Sequence, residues 1–173
     1  MKGVIATWMA LGGLVALAAT PALGQEMEGA HQQHAGPSHV VVDPGDLEWM
    51  PGPASLPPGA QVAVLEGDPS KEGPFTIRLR LPAGYKVQPH RHHAIEHLTI
   101  LSGRAGIGLG EMWDGEQIRY TGPGGFHVMQ AGVAHFAMIE EDSILQVHAM
   151  GPWVLEYVSP ADDPRNQPAP ASN

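Results

Sequence analysis

Residues 84–103 read GYKVQPHRHHAIEHLTILSG, and the rest of the chain is best interpreted outward from this stretch. It places His90, His92 and Glu96 in one short run that we expect to be extended. Side chains alternate between the two faces of a strand, so these even-numbered residues would share one face. Another histidine, His135, lies in a similar run further on. Imidazoles and a carboxylate in this arrangement predict a transition-metal site that uses no thiolate.

Short runs with a two-residue period surround this stretch. The clearest is FTIRLRL at residues 75–81, where apolar and other side chains alternate strictly. Glycine and proline account for 22 and 17 of the 173 residues, and they separate the runs. Strands about every ten residues, joined by turns, predict an all-β antiparallel sandwich or barrel. The other predicted strands are residues 61–65, 96–101, 105–109, 117–121, 126–130, 135–139, 143–149 and 154–158.

The N-terminus predicts a secretory signal peptide over residues 1–24. A lysine at the second position is followed by an apolar segment, residues 4–19, and then by the small-x-small sequence ALG at residues 22–24. Cleavage after Gly24 would deliver a periplasmic or secreted protein. The alternative is a membrane anchor, because the apolar segment is nearly long enough to span a bilayer. A proline after this segment and the cleavage pattern favour the signal peptide.

The mature chain divides by composition into a leader, one domain and a tail. Residues 25–45 are polar and predict a flexible leader that contains His31 and His34. These two histidines would either be solvated or hold a metal loosely, and we favour solvation because nothing nearby fixes their rings. Residues 46–158 predict a single barrel domain, and residues 159–173 a proline-rich C-terminal tail.

The charge and the lack of cysteine exclude several classes of function. The formal net charge is −9, and removal of the signal peptide leaves 8 basic against 18 acidic residues, or −10. An acidic surface repels phosphate backbones and anionic lipids, so we expect neither a nucleic-acid partner nor a membrane partner after cleavage. With no cysteine, the chain has no thiol nucleophile, thiolate ligand or disulfide.

The spacing of these residues resembles the two signature motifs of the cupin superfamily. Every defining position of the first motif is filled, by Gly84, His90, His92, Glu96 and Gly103. The second motif keeps its spacing from Gly124 to His135, but Gln130 stands where the motif has proline and Ile139 where it has asparagine. The resemblance covers roughly residues 60–158 and is to small, single-domain exported cupins of uncharacterised function.

The resemblance implies a double-stranded β-helix, or jelly-roll barrel, with a metal ion in its lumen. His90, His92 and Glu96 would come from one strand and His135 from a neighbouring strand. The ion would be one divalent transition metal per chain, drawn from Fe, Mn, Ni, Cu or Zn, since imidazole and carboxylate donors suit all of these. The resemblance also implies a homodimer.

The catalytic residues are less well indicated than the metal ligands. Gln146 and His148 share strand parity, so both would line the lumen if their face is the inward one. The alternative for His148 is a structural histidine in the core or at the rim. His93 and His97 fall on the odd-numbered face of their run, where we expect exposed or outer-layer side chains.

Three functions fit a metal bound in this way. Open coordination positions would allow a metal-dependent enzyme, oxygenase-like or lyase/isomerase-like, that acts on a small organic molecule. The alternative is a non-enzymatic module that binds a small-molecule ligand or senses the metal. A third reading is a structural ion that stabilises a barrel without disulfides. One fold supports many activities, so the fold does not decide among them.

Overall fold

Strands form most of the regular structure in residues 39–167, the part of the chain described by this computed structural model. The strands are β1 (Met50–Pro51), β2 (Gln61–Glu66), β3 (Gly73–Leu81), β4 (Lys86–Arg91), β5 (Glu96–Leu109), β6 (Arg119–Thr121), β7 (Phe126–Met129), β8 (His135–Gly151) and β9 (Glu156–Tyr157). Within the same residues, 3₁₀ helices are formed by Pro44–Asp46, Gly115–Gln117, Pro160–Asp162 and Pro164–Asn166. None of the described helices has the length and apolar character needed to cross a bilayer. The predicted signal peptide, His31 and His34 lie outside the described residues.

The strands pair into one antiparallel sheet that closes around a lumen. The order β1-β2-β3-β8-β4-β9 runs through most of it, while β5 pairs with β6, β7 and β8. The first half of β8 pairs with β4, its second half pairs with β3, and β5 follows β8 along nearly its whole length. Because β8 has neighbours on both edges, it joins the two layers of the barrel. The predicted all-β double-stranded β-helix is confirmed.

Two pairs of predicted strands are continuous in the structure. The expected strands 96–101 and 105–109 form β5, and the expected strands 135–139 and 143–149 form β8. Each was divided in the prediction at glycine or acidic residues that resemble turns. The chain instead bends as a β-bulge while its partner continues to pair, which a sequence pattern does not distinguish from a turn.

Gly103 allows this bend. The register between β5 and β8 shifts repeatedly from Ile100 to Ala105, which is the corner of the barrel. Gly103 lies within it at φ +76°, a left-handed conformation that favours glycine. A Cβ atom at this position would lie 2.2 Å from the carbonyl oxygen of Asp142 on the paired strand. Backbone conformation and close approach therefore both require glycine here.

The core lies on the inward faces of these strands. The odd-numbered residues from 75 to 81 in β3 are buried, as their alternation predicts, and so are the odd-numbered residues from 143 to 149 in β8. Each large aliphatic or aromatic side chain buried in this way contributes roughly 1.5–3 kcal/mol. The most completely buried are Phe75, Ile77, Ile100, Phe136, Ile139, Leu145, Val147 and Leu155.

A proline-rich arm, residues 50–60, is held across the barrel by two tyrosines. The hydroxyl of Tyr85 donates to the carbonyl of Pro57 at 2.5 Å, and the hydroxyl of Tyr157 donates to the carbonyl of Ser55 at 2.7 Å. Burial raises the pKa of both phenols well above the ordinary value, so both remain donors. These bonds fix Leu56, whose buried side chain lines the lumen.

The role of Gly103 is testable against a second glycine of the same motif. Gly84 also has a positive φ, +79°, but a Cβ there would meet nothing within 4 Å. We expect Gly84→Ala to cost about 1–2 kcal/mol for conformation alone. Gly103→Ala should cost at least about 1 kcal/mol more, because the partner strand must also move. Urea denaturation of both variants measures the difference, and equal losses would show that the corner tolerates a Cβ.

Candidate metal centre

Three imidazoles converge at one end of the lumen. His90 in β4 pairs directly with His135, the first residue of β8, and their ring centroids lie 4.3 Å apart. His92 completes the group, with its ring centroid 5.0 Å from that of His90 and 5.2 Å from that of His135. One ligand atom from each ring lies within 4.8 Å of the others, and all three side chains are buried. This is the arrangement of a three-histidine metal site.

The first three predicted ligands do not come from one strand. His90 belongs to β4, which ends at Arg91, while Glu96 begins β5 and His92 lies in the connection between them. That expectation was wrong because parity along a continuous strand is only one way to place side chains on a common side. Here the chain bends between β4 and β5, and the side chains before, within and after this bend all line the same cavity.

The structure fixes which nitrogen of each ring faces the centre. The Nδ1 atom of each histidine lies close to a backbone carbonyl: 2.7 Å from Gln88, 2.9 Å from Val154 and 3.0 Å from Val133, for His90, His92 and His135 respectively. A carbonyl only accepts, so Nδ1 must carry the proton. Each Nε2 then presents a lone pair, which is how histidines are oriented around metals.

Glu96 adds a carboxylate beside the imidazoles. Its Oε2 atom lies 2.7 Å from Nε2 of His92, and both side chains are almost fully buried. Nε2 of His92 nevertheless makes no hydrogen bond, because the carboxylate oxygen does not lie along the direction in which an N–H at Nε2 would point. Two ligands bound at about 2.1 Å to one ion, at right angles, are about 3 Å apart. An unsatisfied buried nitrogen beside a carboxylate oxygen at this distance fits a shared metal.

The electrostatics favour the protonation states that a divalent ion requires. Burial lowers the pKa of His90 to about 3, with His135 and His92 acting in the same direction, and burial also lowers the pKa of His135. Burial alone would raise the pKa of Glu96, but its contact with His92 outweighs this and lowers that pKa to about 2. Burial opposes a charge on His92 as well, but the neighbouring Glu96 outweighs burial and raises the pKa of His92. The site therefore offers neutral imidazoles at His90 and His135 and an ionised carboxylate at Glu96, whose charge makes His92 the most basic of the three rings.

The free space at the centre is small. The cavity that these four side chains line has a volume of about 40 Å³, which accommodates an ion and very few waters, since each water needs roughly 10–15 Å³. Its remaining wall is apolar and comes from the barrel, from Leu56 of the arm and from Trp153 and Leu155 near the C-terminus. A cavity of this size has no room for an organic molecule beside a metal ion.

The predicted catalytic candidates lie on the other side of their strand. Gln146 is half-buried and accepts from Arg78 Nε at 3.2 Å, while His148 is exposed and lies 2.7 Å from the hydroxyl of Thr76. The inward face of β8 here carries Leu145 and the other odd-numbered residues. The condition for a catalytic role, an inward even-numbered face, is not met, and we correct that assignment.

The other histidines of the barrel are distributed over its outside. His93 is 65% exposed and its Nε2 lies 3.1 Å from Glu156, while His97 is partly exposed and stacks on Phe126. His127 lies 2.7 Å from the Thr121 hydroxyl. None of these three belongs to the buried cluster, and the expectation that His93 and His97 face outward agrees with their burial.

Sequence reasoning missed Trp153. Its indole stacks on the His92 ring, with centroids 5.6 Å apart and planes 15° apart, and its Nε1 donates to Oε2 of Glu96 at 3.3 Å. The residue lies outside both motifs and between two strands. No local pattern indicates that its segment folds back over the lumen.

Fold and site together define a cupin barrel, and the comparisons agree. Residues 37–154, about two thirds of the chain, match the sequence profile of the ChrR Cupin-like domain. The chain therefore belongs to the ChrR cupin-like family, and the predicted membership of the cupin superfamily is confirmed. No curated protein is significantly similar to it.

Solved structures share the fold at low sequence identity. The putative acetylacetone dioxygenase from Methylibium petroleiphilum has a TM-score of 0.57 at 20% identity, with 75% of this chain and 88% of that chain covered. The polyketide cyclase RemF from Streptomyces resistomycificus has a TM-score of 0.57 at 18% identity, covering 72% and 88%. An RmlC-like cupin from Shewanella frigidimarina has a TM-score of 0.52 at 13% identity, covering 66% and 94%. At these identities the similarity establishes the fold alone.

Replacing His92 by alanine tests the site. We expect the bound metal to fall to below about a tenth of the wild-type content, because two imidazoles and a carboxylate hold an ion weakly. An ion at one hundred times its Kd stabilises a protein by about 2.7 kcal/mol, so the metal-induced rise in Tm should also disappear. Elemental analysis and thermal unfolding with and without added metal measure both effects.

Two controls locate the effect. His93→Ala removes an exposed imidazole one residue away and should leave both the metal content and the Tm shift unchanged. Alanine at both His31 and His34 should do the same. Full metal content in His92→Ala, or its loss in a control, would place the ion elsewhere.

Proposed function

We propose that the mature protein is an exported metal-dependent cupin enzyme that acts on a small organic molecule. The observation that carries the proposal is the buried group of His90, His92 and His135, each with Nδ1 held by a backbone carbonyl. Glu96 would be the fourth ligand. Export to the periplasm or beyond rests on the predicted cleavage after Gly24, and one Fe, Mn, Ni, Cu or Zn ion per chain rests on the donor types.

The ion would supply Lewis acidity or redox chemistry to a substrate that binds it through oxygen. The protein orients the histidine rings and keeps water out of the cavity. The carbonyls behind the histidines prevent the rings from turning, and the apolar wall excludes bulk water from the lumen. Glu96 is the acidic side chain among the described residues that line the cavity, so it is the group placed to accept or return a proton.

Oxygenase-like and lyase- or isomerase-like reactions both remain within this proposal. Similar barrels include proteins named as a putative dioxygenase and a polyketide cyclase, which supports the idea that the fold accommodates either kind of chemistry. For partners, we propose a small-molecule ligand and a homodimer, with neither nucleic acid nor a membrane surface. The acidic charge of the chain supports the exclusion of nucleic acid and of a membrane surface as partners.

A non-enzymatic role is the second candidate, and a specific observation favours it. The cavity of about 40 Å³ leaves no room for a substrate, and Gln146 and His148 face away from it. A module that senses the metal or binds a ligand without turnover needs neither feature. A measurement of substrate turnover distinguishes the enzyme from the non-enzymatic module, whereas a measurement of metal content does not.

The proposal is tested first by elemental analysis of the untagged, exported protein purified without chelators. We expect about one transition-metal ion per chain. Metal-loaded protein is then incubated in air with small phenols and ketones, while an oxygen electrode and mass spectrometry follow conversion. Product formation supports the enzyme, recovery of every compound unchanged supports the non-enzymatic module, and a folded protein without metal contradicts both.

Glu96→Gln isolates the role of the carboxylate. Glutamine keeps the shape and an acceptor for Trp153, but it removes the charge. We expect metal affinity to fall by roughly 10- to 100-fold, the scale seen for groups that support a metal site, and turnover to be lost at saturating metal. The matched control is Glu156→Gln, at an exposed residue, which should change neither property. Wild-type affinity and turnover in Glu96→Gln would remove this residue from the mechanism.

A further inference from the structure

Trp153 is the wall between two cavities. On one side is the metal cavity of about 40 Å³, and on the other is a cleft of about 290 Å³ that we call the outer cleft. Trp153 lines both of them. The side chain that stacks on His92 and donates to Glu96 therefore also borders the larger space.

The outer cleft is formed by the arm, by β2 and β3, and by the turn that follows β2. Val64 of β2 pairs with Ile77 of β3 and lies on the same face, yet Val64 is 42% exposed while Ile77 is 1% exposed. Val64 therefore points toward the core but is left partly uncovered, which marks an opening in the side of the barrel. Pro51 and Pro53 of the arm form the opposite side of the cleft.

The contacts of Trp153 allow the indole to move while its backbone stays fixed. Its backbone N–H donates to the carbonyl of Pro69 at 2.6 Å, which ties the segment to the turn after β2. The indole itself makes one hydrogen bond, to Glu96, beside its stacking on His92 and a looser tilted contact with Phe75 at 6.1 Å. Rotation of this side chain would break the bond to Glu96, the stacking on His92 and the packing at the edge of the core, and it would open a path between the two cavities.

We propose that Trp153 is a gate, and that the outer cleft behind it binds the body of a small apolar molecule whose single oxygen reaches the metal. The inference rests on the metal site proposed above and adds the entry route and the ligand class. It also reconciles a cavity too small for a substrate with a function that needs one, because the closed state would be the ligand-free state.

The chemistry of the cleft restricts the ligand. Its walls are mostly proline, valine, isoleucine and Trp153, with Ser55, Asp68 and Ser70 as the polar members. The carboxylate of Asp68 at its rim is already bonded to Ser70 and paired with Lys71, and no cationic side chain lines either cavity among the described residues. A ligand with two or more carboxylates would find no counter-charge except the ion. A phenol or simple ketone matches better, because its ring or chain meets apolar walls and its oxygen meets the metal.

Cobalt(II) binding tests the gate without any need for a substrate. Stopped-flow absorbance gives the association rate, and a chase with EDTA gives the dissociation rate. In Trp153→Ala we expect both rates to rise by about tenfold, the effect of removing one hydrogen bond and one ring stack, with Kd within about twofold of wild type. Trp153→Phe keeps a ring without the donor and should give a smaller rise in both rates. Trp113→Phe, at a tryptophan that packs on Phe136 and lines neither cavity, should change nothing.

A gate and a purely supporting role for Trp153 predict different cobalt-binding rates. If Trp153 only supports the ligands, dissociation alone accelerates and Kd weakens in proportion, which overturns the proposal. Unchanged rates in both Trp153 variants overturn it as well. Failure of the wild-type protein to bind cobalt would instead refute the metal site, so the two failures are distinguishable.

The ligand class is tested on the cobalt-loaded protein by titration with phenol and with malonate. We expect phenol to shift the visible spectrum at lower concentration than malonate. Val64→Asp places a charge in the cleft wall at an exposed position, and it should weaken phenol binding by about tenfold. Val41→Asp, at a residue that is 75% exposed and outside the cleft, is the control and should have no effect. Tighter binding of malonate, or phenol binding that is indifferent to Val64→Asp, would overturn the assignment.

Discussion

The pairing of β5 with β8 is the constraint on which the site depends. Glu96 pairs with Ala149 at one end of this ladder, and Leu109 pairs with His135 at the other. If the 14 residues of β5 were flat, these ends would be separated by about 45 Å. Yet Glu96 and His135 line the same cavity of about 40 Å³. The ladder must therefore curl back on itself, and the bulged corner at Gly103 is where the structure permits it.

Curvature brings the donors together, and the surrounding backbone then determines their chemical state. Carbonyls behind the three imidazoles hold the protons on Nδ1, and burial disfavours a further proton on His90 and His135. Glu96 supplies the one negative charge, stabilised by its neighbours. A buried carboxylate beside an unsatisfied nitrogen is costly without a cation, so this arrangement supports the metal site that we propose. Leu56 of the arm and Trp153 complete the wall of the cavity around these donors.

Motif spacing selected four side chains that line one cavity, because ligand geometry fixes which residue types occur at which intervals. The all-β barrel followed from the alternation and the turn residues. The placement of His92 was wrong because parity alone cannot reveal a bend between two strands. For Gln146 and His148 a signal existed: Leu145, Val147 and Ala149 lie on the opposite face, and their apolar character marks that face as inward. Trp153 had no such signal, because its position depends on contacts with a turn more than 80 residues away in sequence.

The topology also determines when this protein can fold. β3 pairs with the second half of β8 across sequence separations of 62 to 78 residues, from Leu81 with Ser143 to Gly73 with Gly151. Sheets dominated by such distant pairs fold in milliseconds to seconds, because the connecting chain must be ordered first. The strand that joins both layers, β8, follows β3, β4 and β5 in the sequence and is therefore synthesised after them. A nascent chain therefore cannot close its barrel until β8 has been synthesised, which would suit the export that we propose for this protein.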